Sequence, residues 1–277
     1  MTVDPQGQVD RRVILVTGAS RGIGAQVARQ LTGPDVHVII NYREKRKRAE
    51  AIANEIIAAG GSASTVAADI SNPGDCAHLI DFVTGSFGRL DTLVLNASGG
   101  LELGADAHYP MRINRDAPVR LTRSAMTIMP AGSRIVFVTS HQAHFYGAQP
   151  VPADYVPIAE SKRAGEDALR AMSTEFDRSQ INFTVVSGDM IDGTIIVRLL
   201  QRRDPDAVES RRAHGALPTV EQFASAIVTA VNTAVENDTI YVGGRDYLNQ
   251  TDFESTCPAH SRPLVTGAPS SCGLDRR

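Results

Sequence analysis

The feature that most constrains this chain is a glycine-bearing turn set between a β-branched run and a helical pattern. Val13-Ile14-Leu15-Val16 leads directly into Thr17-Gly18-Ala19-Ser20-Arg21-Gly22-Ile23-Gly24, after which apolar residues recur at helical spacing over residues 25–31. In such a strand–turn–helix unit, glycine permits a tight turn and close backbone approach, and the N–H groups at the helix start attract a diphosphate. The spacing is G-x-x-x-G-x-G rather than the commoner G-x-G-x-x-G. The plainer alternative is a glycine-rich corner that binds nothing, and the buried strand in front of the turn argues against it.

The same alternation runs on along the chain. Residues 36–40, 64–68, 93–95, 134–139, 183–186 and 240–242 read as further strands; residues 49–59, a segment opened by Asn72-Pro73, residues 157–176 and residues 220–235 read as helices. Gly60-Gly61 stops the first of these helices, and Pro73 stands in a first helical turn, where its missing N–H costs nothing. Continuous apolar strands between helices imply a parallel sheet covered on both faces, hence a doubly wound α/β (Rossmann) fold. With 42% hydrophobic residues the chain can build a sizeable core. One domain is expected over residues 11–248, with polar residues 1–10 and the Pro-, Gly- and Ser-rich residues 249–277 as flexible tails.

Charge narrows the function classes. A net charge of −3 argues against a globally basic nucleic-acid binder and against a highly charged disordered chain. No apolar run approaches the ~18–20 residues that cross a bilayer, and the polar start carries no signal-peptide core. Cys76, Cys257 and Cys272 form no C-x-x-C pair and no metal-ligand spacing, so the chain reads as a reduced, cytoplasmic protein without a metal.

The turn at residues 17–24 resembles the cofactor turn of the short-chain dehydrogenase/reductase family, and other matches follow in order. Asp69-Ile70 stands after the third strand. Asn96-Ala97-Ser98-Gly99 follows the fourth and is similar to the family's N-N-A-G, with Leu95 and Ser98 substituted at its ends. Asn114 lies in the next helix, Ser140 ends the fifth strand, and Ser161-Lys162 sits in the long helix. Ser187-Gly188-Asp189 through Thr194 takes the place of the family's P-G loop, without its proline. The resemblance spans residues 12–245. It implies that Gly18, Ser20, Arg21, Gly22, Ile23, Gly24, Asn41, Arg43, Asp69, Ile70, Asn96, Ala97, Ser98, Lys162 and Thr194 hold a nicotinamide dinucleotide. It also implies a small-molecule carbonyl or alcohol substrate, and a homodimer or homotetramer built partly on the helix that carries Lys162.

The end of the second strand bears on which dinucleotide. An acidic residue there would bind a ribose 2′-hydroxyl and repel a 2′-phosphate. The strand ends instead in Asn41-Tyr42-Arg43, and Glu44-Lys45-Arg46-Lys47-Arg48 follows. Cations at a helix start oppose its dipole unless an anion meets them, and Arg21 reaches the same place. Taken alone the basic run is a solvated helix start; with Arg21, Arg43 and the missing acid it favours NADP(H).

The resemblance also exposes a departure. In the family a Tyr hydroxyl supplies the proton, four residues before a Lys that lowers its pKa and holds the nicotinamide ribose. A Ser binds the substrate oxygen, and an Asn positions a relay water. Four residues before Lys162 stands Ile158, which can neither donate nor accept a proton; the nearest phenol is Tyr155, seven residues ahead. Seven residues keep both on one helix face but raise the separation to about 10.5 Å from about 6 Å, with Asp154 as a plausible N-cap. Three readings stand open. Tyr155 swings in from the helix start as the acid, with Ser140, Asn114 and Lys162 in their family roles; or His141, His144 or Tyr146 replaces it; or the site has left carbonyl chemistry for a non-redox reaction or dinucleotide-dependent regulation. Singly, Ser140 reads as a cap and Lys162 as a solvated helix lysine; their order and spacing raise them. The loops leave sugar-like, polyketide-like and heterocyclic ketones all open as substrates.

Overall fold

The computed structural model describes residues 11–101, 106–213, 215–234 and 238–244. The two expected tails, with Cys257 and Cys272, lie outside the described residues. The chain starts with β1 (Arg12–Val16), α1 (Gly22–Gln30), β2 (Val36–Tyr42), α2 (Arg46–Ala58), β3 (Ser62–Ala67), α3 (Pro73–Phe87) and β4 (Thr92–Leu95). Next come α4 (Tyr109–Met111), a π turn (Arg112–Asp116), α5 (Ala117–Met126), β5 (Arg134–Ser140) and α6 (His141–His144). A 3₁₀ turn (Ala153–Tyr155) leads into α7 (Val156–Arg170), α8 (Ser173–Ser179) and β6 (Asn182–Gly188). Helices α9 (Ile195–Arg203), α10 (Pro205–Ala213) and α11 (Val220–Asn232) precede β7 (Thr239–Val242).

The seven strands form one sheet in the order β3-β2-β1-β4-β5-β6-β7, parallel at every pairing. Side chains alternate across a strand, so a run that is apolar throughout feeds two cores. Val13 and Leu15 join Leu93, Leu95, Ile135 and Phe137 on one face, whereas Ile14 and Val16 join Val38, Ile40, Val94 and Val136 on the other. Each such buried aliphatic contributes about 1.5–3 kcal/mol. The doubly wound fold read from the sequence is therefore the observed one. Strand order reverses between β1 and β4, and ligands of such sheets bind in the crevice at the strands' carboxyl ends there.

Most element ends shift by one to three residues from expectation, and three local features differ for physical reasons. Strand β2 extends through Asn41 and Tyr42, both buried, because each pairs with β3. The helix expected over 157–176 breaks after Arg170, and the separate α8 carries Phe176 into the same core as Met172. Asp154 does not cap α7, since the 3₁₀ turn precedes that helix and Tyr155 occupies the cap position. The helix does open at Asn72-Pro73, as expected, and Asn72 caps it, its side chain accepting from the Gly74 N–H at 2.8 Å.

Candidate active site

The glycine turn is fastened from both sides. Thr17 Oγ1 donates to the Val94 carbonyl at 3.2 Å and accepts from the N–H groups of Asn96 (2.9 Å) and Ala97 (3.0 Å). Asn96 Nδ2 donates to the Thr17 carbonyl at 2.8 Å. On the other side, Asn41 Oδ1 accepts from the Gly18 N–H at 3.2 Å while its amide nitrogen donates to the Ala68 carbonyl at 3.1 Å. Asn41 and Asn96 are thus posts that hold the turn between neighbouring strands. Gly24 is fixed by packing: a Cβ there would lie 2.5 Å from Asn96 Nδ2 and 2.9 Å from the Gly18 carbonyl.

Around this turn the charge is positive. Arg21 is exposed at the N-cap of α1, and no described residue pairs with its guanidinium. It lines an open cleft with Ser20, Gly22, Ala25, Arg48 and the Arg29–Glu55 ion pair, whose partners stand 2.6 Å apart. Arg43 reaches across to donate to Tyr109 Oη at 2.7 Å and pairs with Glu44 at 3.1 Å. Asp69 bends onto its own turn, accepting from the Ser71 N–H (3.0 Å) and hydroxyl (2.7 Å), next to buried Ile70. Ile23 packs on the core beneath the turn. Thr194 caps α9, its hydroxyl donating to the Ile191 carbonyl at 2.8 Å and accepting from the Val197 N–H at 3.4 Å.

At the ends of β5 and α7 two hydroxyls meet. Ser140 Oγ lies 3.2 Å from Tyr155 Oη and also accepts from the Ala143 N–H at 3.4 Å. Tyr155 is buried in a small apolar cluster with Ala143, Ile158 and Ala159. Burial pushes its phenol up, and the hydrogen bond with Ser140 opposes that. Two helical turns on, Lys162 is buried as well; desolvation lowers its ammonium to about 8, with the Glu166 carboxylate opposing the fall. Ile158, also buried, fills the intervening turn.

Asn114 joins β4's loop to α7. Its Oδ1 accepts from Ser98 Oγ (2.9 Å) and from the Gly99 N–H (3.3 Å), while Nδ2 donates to the Gly99 carbonyl and Ser161 Oγ, both at 2.9 Å. The π turn around it has a local cause. Pro118 has no N–H to offer the Asn114 carbonyl four residues back, so the ladder opens there. That carbonyl faces Gly165, where a Cβ would sit 2.1 Å from its oxygen. Ala97 packs instead against the glycine turn, where a Cβ at Gly18 would lie 3.0 Å from it.

The two histidines considered as proton donors are engaged elsewhere. His141 is buried, with Nδ1 2.8 Å from Ser187 Oγ and Nε2 3.2 Å from the Gly243 carbonyl. His144 has Nδ1 2.9 Å from Glu166 Oε2 and Nε2 3.0 Å from Tyr241 Oη. With both ring nitrogens of each bonded within the fold, neither is presented to a ligand. Tyr146 packs on the Tyr155 cluster. Sequence reasoning missed Glu166 and Arg170, although both follow Lys162 at helical spacing of four. It also missed the clamp from Arg211 to Asp189, two bonds of 2.9 and 2.6 Å that tie α10 to the end of β6.

A doubly wound sheet with a fastened glycine turn at its switch point, a Ser–Tyr pair at the end of β5 and a buried lysine two turns along α7 is the framework of a dinucleotide-dependent oxidoreductase. Residues 12–204 match the short chain dehydrogenase family, and the chain belongs to it. A 1-cyclohexenylcarbonyl-CoA reductase of Streptomyces collinus is 34% identical over 197 residues, 68% of each chain. A versicolorin reductase of Emericella nidulans is 30% identical over 65% of this chain and 69% of its own. Among solved structures, an angucycline C-6 ketoreductase with bound NADP superposes with a TM-score of 0.68 at 27% identity, covering 84% of this chain and 95% of that one. A short chain dehydrogenase from Burkholderia cenocepacia in complex with NADP gives 0.72 at 26%, covering 86% and 98%. No helix among the described residues is long and apolar enough to cross a membrane.

Proposed function

We propose that this protein reduces a ketone of a small molecule with NADPH, using Tyr155 as the proton donor. The carrying observation is the 3.2 Å contact between Tyr155 Oη and Ser140 Oγ, which restores a Ser–Tyr pair although the family position of the tyrosine is Ile158.

The residues fit the cofactor. A fastened turn with no room for a side chain at Gly24 allows the close backbone approach that a diphosphate needs. Arg21 is unpaired among the described residues, β2 ends without a carboxylate, and Arg43 stands just beyond it. Those charges suit a 2′-phosphate, and the NADP in the similar ketoreductase and dehydrogenase structures agrees. Bound there, NADPH supplies the hydride that the carbonyl carbon accepts.

The chain's own groups do the rest. Ser140 Oγ hydrogen-bonds the carbonyl oxygen and orients it towards Tyr155. As negative charge develops on that oxygen, Tyr155 Oη gives it a proton, forming the alcohol, and the phenol is reprotonated from solvent. Lys162 offers its ammonium to ribose hydroxyls. Asn114 keeps the β4 loop and α7 in register. The wall around Tyr155 is apolar (Leu101, Tyr146, Val151 and Ile158), which suits a ring-bearing ketone such as the versicolorin and the angucycline named for two similar proteins.

The test is reduction of a panel of aromatic and alicyclic ketones, followed by loss of NADPH absorbance. Turnover that disappears in Tyr155→Phe while NADPH still binds supports the reading. NADPH binding without turnover of any ketone by the unaltered protein favours a non-redox or regulatory role.

A further inference from the structure

Glu166 is a fully buried carboxylate that nothing in the proposed reaction uses. It stands one helical turn beyond Lys162, and Arg170 one turn beyond that, so the three share a face of α7. Each of its oxygens is taken. His144 Nδ1 lies 2.9 Å from Oε2, and Arg170 Nε donates to Oε1 at 2.9 Å. Both partners are anchored in turn to β7, His144 through Tyr241 Oη at 3.0 Å and Arg170 through Thr239 Oγ1 at 2.8 Å. Burial alone would raise the Glu166 carboxyl, but the bonds and charges of His144 and Arg170 outweigh it and hold the group below the usual carboxylate range.

Lys162 has the opposite need. Its ammonium is desolvated, and no described residue hydrogen-bonds it. A buried cation without a counter-charge loses its proton or distorts its surroundings. We infer that Glu166 is a positioning residue for Lys162: clamped between His144 and Arg170, it supplies the negative charge that steadies the ammonium while leaving the ammonium's hydrogens unspent. Only the ligand of those hydrogens rests on the proposed function.

Around the pair, helix α6 brings His144 and β7 brings Tyr241, whose hydroxyl bonds that histidine. The π turn brings uncharged Asn114, while its Arg115 pairs with Asp116. On α7 itself, Arg163 pairs with Asp167 and donates to the His144 carbonyl.

The experiment uses an accident of composition: Lys45, Lys47 and Lys162 are the three lysines of the sequence. Protein labelled with ¹³C at lysine Cε should give three resonances, of which Lys162 titrates near 8. In Glu166→Gln that midpoint should fall by about one pH unit, a roughly tenfold loss of proton affinity. Glu166→Asp should stay near the unaltered protein. Because Glu166→Gln leaves Arg170 facing an amide, the double variant Glu166→Gln/Arg170→Gln, which removes both charges, should fold and shift the midpoint downward by less than the single variant, since a cation leaves with the carboxylate. An unmoved Lys162 midpoint in Glu166→Gln overturns the inference, as does failure of both variants to fold, which would make Glu166 a structural tie alone. NADPH fluorescence titrations on the same samples separate the two conclusions. If the unaltered protein binds no NADPH while Lys162 responds as expected, the proposed function fails and the role of Glu166 stands.

Discussion

The hydroxyls of Tyr155 and Ser140 meet at 3.2 Å although the tyrosine lies at the mouth of α7, two turns ahead of Lys162. The contact forms because the 3₁₀ turn before the helix folds the phenol back over the end of β5. Ile158 fills the turn between phenol and ammonium, so Ser140 is the hydrogen-bonding partner of Tyr155, and Glu166 acts on Lys162 from the far side.

Tyr155→Phe should therefore lower kcat by a factor of about 10²–10⁴, the range for losing a positioned acid, with NADPH affinity unchanged in fluorescence titration. Adding Ile158→Tyr to that variant puts a phenol at the family spacing and should recover part of the lost rate. No recovery would mean that the surroundings of residue 158 exclude a ring as large as tyrosine's.

Arg21→Ala and Arg43→Ala should each weaken NADPH binding by about tenfold, the cost of roughly one charge-assisted contact. NADH binding should hardly change. Comparing the two dissociation constants for each variant checks this, and equal losses for both cofactors would remove the 2′-phosphate from the explanation.

Gly165→Ala drives a methyl against the Asn114 carbonyl, 2.1 Å from the Cβ position. Overpacking of this kind costs about 1–3 kcal/mol, read as a melting temperature lower by several degrees. The displaced π turn should carry Asn114 and the Ser98 loop with it, so kcat should drop as well.

Lys162→Met should abolish turnover yet stabilise the cofactor-free protein at neutral pH. The folded ammonium titrates near 8 and an unfolded lysine near 10.5, so between those values the unfolded chain binds more protons. The lysine's burden on stability is fully present below pH 8 and fades as pH rises towards 10.5. The gain in unfolding free energy should be of the order of 3 kcal/mol at pH 7, and urea denaturation across pH 7–10 should show it shrinking.

How much of this could be read from residues alone followed the range of the forces involved. The alternation of apolar strands with helices depends on local pattern, and it led to the doubly wound fold; the Gly18–Gly24 turn likewise announced itself by context. Roles that depend on partners distant in sequence stayed hidden. Asn41 looked like a strand tip facing a ligand, but pairing with β3 turns it inward to hold Gly18. His144 looked like a free proton carrier until Glu166, 22 residues on, claimed it. The helix break after Arg170 carries no glycine or proline to mark it, because burial of Met172 and Phe176 decides it. The pairing of Tyr155 with Ser140 was legible as one of three possibilities, since loop geometry decides among them.

The placement of β1 between β2 and β4 has a consequence during synthesis. Its first neighbour, Val36–Tyr42, emerges soon after it, but the second, Thr92–Leu95, follows some eighty residues behind. At about 5–20 residues per second, the nascent half-sheet waits several seconds with the outer edge of Ile14–Val16 bare. An unpaired apolar edge is a template for other chains, so the newborn protein should lean on chaperones through that interval and lose the need once the fourth strand docks.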